Sequence, residues 1–403
     1  MVIQDPRMLV PSKFFRSFCL IAFSFGCLQV SGWAQETSSA PEPMVRVSLK
    51  NANSAEVAAG DAVTGRIVVE AKDGGLLLEL RNGKYKTIKA DAISEKSAVD
   101  TAFSQMTTDE LAKDLLTEVP PGFEIHQTDH YVICSNSAEE YAEFCGNLLE
   151  RVYDQYFLFM KEQEVVVHEP ISKLPVIILQ SATEFQEFAE QRNPGRTFKD
   201  SPGYYSIVDN QTLLVDLTRD RSVRSVSEIR KQLADQPLQV ATVVHESVHQ
   251  LAFNSGLQVR MADNPVWLSE GLAVYFEPIT PRSSTLWTKP GLFNGRLHPL
   301  FMNSIRGNQM TVPFGTLVSS DESFLSADSA PAAYAESWGL VSYLFKQEKG
   351  GMKAYLQTIG QHKPLQPLSR EERIREFEEA FGKSPDETQA STVSFVQRLR
   401  VPR

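Results

Sequence analysis

Cysteine is scarce in this chain, 4 in 403 residues, and this excludes a disulfide-dense scaffold. Cys19 and Cys27 fall in an N-terminal apolar stretch, which leaves Cys134 and Cys145 for the rest of the chain. These two read either as a disulfide in an oxidising compartment or as a pair of buried free thiols. Their spacing lacks the double-pair form of a structural zinc site. Positive charge is also in deficit: 40 Lys and Arg stand against 50 Asp and Glu, a formal net charge of −10. That balance argues against general nucleic-acid binding, which needs a basic face, and it gives no support for docking on anionic lipid. Long apolar runs are missing too. The best candidate, Phe18–Val30, has 13 residues, short of the ~20 that a membrane-spanning helix needs. No solenoid-type repeat is present. The chain does have the balance of a folded protein, 42% hydrophobic and 22% charged residues, at a length that suits two or three domains.

The N-terminal apolar stretch follows Lys13 and Arg16 and ends in Gly32-Trp33-Ala34. Residues 1–34 therefore read as a signal peptide, with an uncut N-terminal anchor as the alternative. The expectation is an exported protein, periplasmic, envelope-bound or secreted, with no stable membrane span once the signal is removed. Residues 35–44 are polar and proline-containing and read as a linker. Residues 45–98 hold short β-rich runs separated by Asp73-Gly74-Gly75 and Asn82-Gly83, both hairpin signals. They predict a small SH3-like β barrel, either a structural appendage or a docking surface for a protein partner. Residues 99–119 read as a helical connector that ends at Pro120-Pro121-Gly122. Strands and helices then alternate through residues 120–365, and residues 366–403 read as two amphipathic helices. The fold class is α+β.

The sharpest signal is His245-Glu246-Ser247-Val248-His249. Pro237 suits a first helical turn and Asn254-Ser255-Gly256 a helix end. Val240, Val244 and Val248 recur every four residues and mark the core face. His245 and His249 are four apart on a neighbouring face, one turn from each other, where two imidazoles can chelate one Zn²⁺. Glu246 between them can take a proton from water at the open coordination position. A third ligand is needed. Downstream, ADNPVWLSEGLAVYFEP predicts a second helix over 264–277, with Glu270 as the first choice ahead of Glu277, His298 and Asp263. Glu277, two turns further along, is expected to face another neighbour. Gly271 costs about 1 kcal/mol in a helix interior, and close approach to the histidine helix would explain it.

HESVH followed by WLSEGLAVYFE resembles the gluzincin group of zinc metallopeptidases, in particular the "peptidase MA-like" domains of uncharacterised secreted bacterial proteins. The resemblance spans about residues 120–360 and is specific around 240–277. It implies a thermolysin-like core with a mixed sheet and active-site helices, one zinc ion held by His245, His249 and Glu270, and Glu246 as general base. Aminopeptidase-like gluzincins use a tyrosine on the following helix to hydrogen-bond the developing oxyanion. Tyr334, 64 residues after Glu270, is the matching position. A core aromatic is the other reading of Tyr334, and Tyr343 is the second choice for the role.

Three departures stand out. No GxMEN-like exopeptidase motif lies upstream. Position 274 is Val where an acidic residue could orient a ligand histidine, so the outer partner of the histidines is unassigned. No propeptide is evident. TLLVDLT, before the histidine helix, reads either as an edge strand that pairs with an extended peptide or as an ordinary core strand. The expected activity is hydrolysis of peptide bonds in a peptide or protein substrate. The alternatives are a catalytically inactive, peptidase-like binding protein of the envelope and a zinc hydrolase of a non-peptide amide.

Overall fold

The computed structural model describes residues 43–50, 62–198, 201–216, 218, 225–306 and 309–401. The expected signal peptide, and all of the expected linker except Pro43 and Met44, lie outside the described residues.

The N-terminal unit is a five-stranded antiparallel sheet of order β4-β3-β2-β1-β5. Its strands are β1 (Pro43–Leu49), β2 (Ala62–Glu70), β3 (Leu76–Glu79), β4 (Tyr85–Ile88) and β5 (Ile93–Ala102), with a 3₁₀ turn at Ala90–Ala92 before the last. Both glycine turns form where the sequence puts them. Gly74 and Gly83 take φ of +88° and +80°, values that only glycine adopts freely. Val47, Leu76, Leu78 and Ile88 make a small core separate from the main one. β5 runs through Ala102, which pairs with Pro43, so residues 99–102 extend the sheet instead of opening a helical connector. The helix α1 (Thr108–Glu118) starts where Thr107 and Glu110 form a reciprocal capping box. That cap, and not the end of the β pattern, sets the boundary.

The second unit is built on a mixed sheet of order β6-β7-β8-β10-β9. Its strands are β6 (Glu124–Gln127), β7 (Tyr131–Ser135), β8 (Leu174–Leu179), β9 (Gly203–Ser206) and β10 (Gln211–Val215). β7, β8 and β10 run parallel, while β6 and β9 are antiparallel to their neighbours. The helices α2 (Glu139–Glu162) and α3 (Ala182–Arg192) provide the crossovers, and α4 (Val226–Ala234) leads into α5 (Pro237–Asn254). TLLVDLT is not the edge strand. β10 has β8 on one side and β9 on the other, so both rows of its backbone groups are taken and no peptide can pair with it. The edge beside α5 is β9, the first strand of the hairpin. Cys134 on β7 and Cys145 on α2 are buried free thiols.

Beyond α5 the regular structure of the described residues is helical apart from a ribbon of two two-residue strands. It comprises α6 (Val266–Phe276), α7 (Leu297–Ser304), β11 (Ile305–Arg306), β12 (Gln309–Met310), α8 (Phe314–Ser319), α9 (Glu322–Leu325), α10 (Ala330–Gln347), α11 (Lys349–Ile359), α12 (Arg370–Phe381) and α13 (Pro385–Gln397). One continuous apolar core joins the mixed sheet to these helices, with Trp267, Trp287 and Trp338 fully buried in it. α6 packs between α5 and α10. Among the described residues no helix is long and apolar enough to cross a membrane.

Candidate metal centre

α5 forms as its sequence predicts. Pro237 occupies the first turn, Val240, Val244 and Val248 are buried in the core, and Gly256 follows the C-cap with φ +76°. The two histidines then share a face, with their Nε2 atoms 3.1 Å apart. α6 returns alongside α5 and presents Glu270 from its second turn. Its carboxylate oxygens lie 3.2 Å from His245 Nε2 and 3.6 Å from His249 Nε2. Among the described residues, His245, His249 and Glu270 are the one group whose ligand atoms all lie within 4.8 Å of each other. All three are buried.

Gly271 has a different reason from the expected one. A Cβ there would sit 2.9 Å from Ser337 O and 2.6 Å from Val341 Cγ2. The glycine therefore admits α10, the helix that carries Tyr334, and not the histidine helix.

Glu277 also departs from expectation. It stays on the face that Glu270 uses, and its Oε1 is 2.9 Å from His245 Nδ1. Its other oxygen accepts from Arg296 Nη2 at 2.5 Å. Seven residues make two helical turns, so Glu270 and Glu277 point the same way. That spacing was the available signal for the outer partner that Val274 does not supply. Burial would raise the Glu277 carboxyl, but Arg296 and His245 hold it below the usual range.

These contacts decide whether the group suits a cation. A carboxylate at Nδ1 fixes the proton on that nitrogen, so neutral His245 presents a lone pair at Nε2. That lone pair faces a second imidazole nitrogen and a carboxylate, an arrangement that either a proton on His245 or a cation between the three relieves. Ligands held at about 2.0–2.1 Å around tetrahedral zinc stand roughly 3.3 Å from one another; the two imidazole nitrogens are 3.1 Å apart, and of the two Glu270 oxygens one is 3.2 Å from His245 Nε2 and the other 3.6 Å from His249 Nε2, distances near that spacing. The electrostatics agree. Burial would depress His245, yet Glu270, Glu277 and Glu246 together lift it to about 10. Burial would raise Glu270, yet His249 and His245 hold it at about 2. The site favours a positive charge, and nitrogen and oxygen donors in this number suit zinc.

Glu246 is buried beside the triad and does not join it. Tyr205 N, on the edge strand β9, donates to its Oε2 at 2.9 Å. Burial pushes the Glu246 carboxyl above its ordinary value, against the pull of the two histidines. Tyr334, on the second turn of α10, is buried, and its hydroxyl is raised well above its usual range by burial and by the adjacent Glu270. Tyr343 lies elsewhere, with its hydroxyl donating to Glu348 at 2.7 Å. The other candidate ligands are also placed away from the triad. The His298 ring rests 5.0 Å from Phe293, and Asp263 pairs with Arg373.

Residues 239–366 match the model of one protein family, described as "Protein of unknown function (DUF1570)". The match takes in both histidines, Glu246, Glu270, Glu277 and Tyr334, and leaves out the N-terminal sheet and the helices α12 and α13. No curated protein matches the chain.

Proposed function

We propose that this chain is an exported zinc-dependent metallopeptidase. The observation that carries the reading is the convergence of His245, His249 and Glu270 within 4.8 Å, with Glu277 fixing His245 from behind at 2.9 Å. Zinc bound by these three side chains would polarise a scissile carbonyl and acidify the attacking water. The remaining steps belong to the protein. Glu246 takes one proton from that water as its oxygen attacks the carbonyl carbon. It then passes the proton to the amide nitrogen as the C–N bond breaks, and the water's second proton follows to the same nitrogen, leaving a carboxylate and a protonated amine. A raised pKa suits both halves of that transfer, because the group must be a strong enough base and then an acid near neutral pH. The Tyr334 hydroxyl, kept protonated by its surroundings, donates a hydrogen bond to the oxygen on which charge develops. Peptide as the substrate rests on the gluzincin resemblance of HESVH and WLSEGLAVYFE. On this reading the mixed sheet with α5 and α6 is the thermolysin-like core, and β1–β5, with a 3₁₀ turn before the last strand, is the SH3-like barrel.

The inactive, partner-binding alternative drew on the missing exopeptidase motif and on the unassigned partner of the histidines, and Glu277 supplies that partner. Metal analysis together with cleavage of unfolded casein or a peptide library tests the proposal. The purified chain is expected to carry one zinc and to cleave. Glu246→Gln is expected to keep the zinc and lose 10²-fold or more of the activity, in the range of general base catalysis. Zinc content unchanged in a His245→Ala/His249→Ala double variant counts against the site.

A further inference from the structure

Arg260 lies in the connection between α5 and α6, outside the HESVH motif, and is only 7% exposed. Its guanidinium reaches across to the N-terminal sheet. Nη1 donates to Gly83 O at 2.9 Å and to Ile207 O at 3.2 Å. The Tyr85 ring lies 3.7 Å from its central carbon, and Glu79, itself buried, is 3.8 Å from Nη2. One side chain thus joins the β3–β4 hairpin to the turn between β9 and β10. Tyr85 N donates to Val208 O at 2.8 Å in the same place, and a Cβ on Gly83 would touch Asn210.

That turn leads back to the site. Tyr205, on β9, donates its hydroxyl to Asn210 Oδ1 at 2.7 Å and stacks on Phe253 of α5. Its backbone N–H is the group that holds Glu246 at 2.9 Å. A buried guanidinium has five donors to satisfy and loses much more than a surface one if its partners leave, so the junction resists opening. We propose that Arg260 is a positioning residue, through which the N-terminal sheet holds the β9–β10 hairpin and so fixes Glu246. The N-terminal sheet is then a working part of the site. The catalytic half of this inference rests on the peptidase reading, while the mechanical half does not.

Residue-resolved amide hydrogen exchange on the full-length, metal-free chain tests it without any substrate. Glu246→Ala removes the acceptor and is expected to raise exchange at Tyr205, which calibrates the signal. Arg260→Met is expected to raise exchange at Tyr205 by about tenfold while the amides of β7 and β8 keep their protection. Tyr85→Leu, a milder change at the same junction, is expected to act in the same direction and serves if Arg260→Met does not fold. In the zinc-loaded chain Arg260→Met is expected to lower kcat with KM and zinc content unchanged. Unchanged protection of Tyr205 in both junction variants overturns the proposal, as does a rise spread evenly over β7 and β8. No rise in Glu246→Ala overturns it as well, because the contact it depends on is then absent. A chain with no peptidase activity but with the expected exchange pattern would refute the catalytic reading and leave the clamp standing.

Discussion

Glu277 stands behind His245, and its worth can be measured. Outer carboxylates that orient a ligand imidazole commonly account for 10–100-fold in metal affinity. Glu277→Ala is expected to weaken zinc binding by about that factor in a chelator competition, and Glu277→Gln by less, since an amide oxygen can still accept from Nδ1. A second buried carboxyl bears on stability. Glu336 on α10 is buried and accepts from Val312 N at 3.2 Å. Burial pushes its pKa up to about 8. The folded protein therefore holds this proton more tightly than the unfolded chain, whose carboxyl titrates near its ordinary value of 4.5. The stability it contributes is full below about pH 4.5 and is lost as pH rises through 8. Urea unfolding at pH 5 and pH 8 is expected to show that loss, and Glu336→Gln, neutral at both, should reduce it by on the order of 1–3 kcal/mol. An equal pH dependence in the two proteins would mean that the carboxyl is not the source.

Most helices were legible in the sequence where a cap or a breaker fixed them, although the capping box that starts α1 went unread. Ser181 accepts from Glu184 N at the start of α3, Pro237 opens α5, and Ser369 and Ser384 form capping boxes at α12 and α13. The shared face of His245 and His249 was legible for a similar reason, because a spacing of four on a helix fixes it, while the seven-residue spacing of Glu270 and Glu277 went unread. Strand order was not legible. Whether β9 or β10 lies at the edge depends on which one pairs with β8, and the alternation of side chains within each strand is silent on that. The neighbour of Gly271 was missed because a small residue signals close approach without saying to what. The structure makes this a prediction about α6 and α10. Gly271→Ala gains about 1 kcal/mol of helix propensity, but its methyl group would meet Ser337 O at 2.9 Å, and backbone cannot swing aside. Overpacking of this kind costs about 1–3 kcal/mol. The variant is expected to be less stable in urea and to bind zinc more weakly, because Glu270 moves with α6. Equal or greater stability would show that the two helices separate freely.

At the scale of the whole molecule, the site is held from both ends of the chain. The N-terminal sheet meets the connection between α5 and α6 through Arg260, and the C-terminal helices meet the end of the same connection through Arg373. Arg373 lies on α12, beyond the last residue matched by the family model. Its guanidinium bonds both oxygens of Asp321, at 2.9 and 2.8 Å, and also pairs with Asp263. Asp321 in turn accepts from Val266 N at 3.0 Å, the first amide of α6, and Asp263 accepts from Leu368 N at 2.7 Å. A carboxylate brought from elsewhere in the chain thus caps the helix that carries Glu270, at the end where the helix dipole favours negative charge. None of this could be read from α12 alone, where REERIREFEEAF looks like a solvated amphipathic helix, because both aspartates lie more than fifty residues away. Arg373→Met keeps much of the side-chain volume and leaves two partly buried carboxylates without their cation. Removing the cation from a partly buried network costs about 1–3 kcal/mol, which for a domain of this size amounts to a fall in melting temperature of roughly 5 °C. Thermal unfolding of the metal-free chain should show that fall, and zinc affinity should drop in parallel, because a frayed α6 no longer fixes Glu270. If Arg373→Met melts with the parent protein, the C-terminal helices are an ornament on the metal domain and the cap at Val266 is sustained by Asp321 alone.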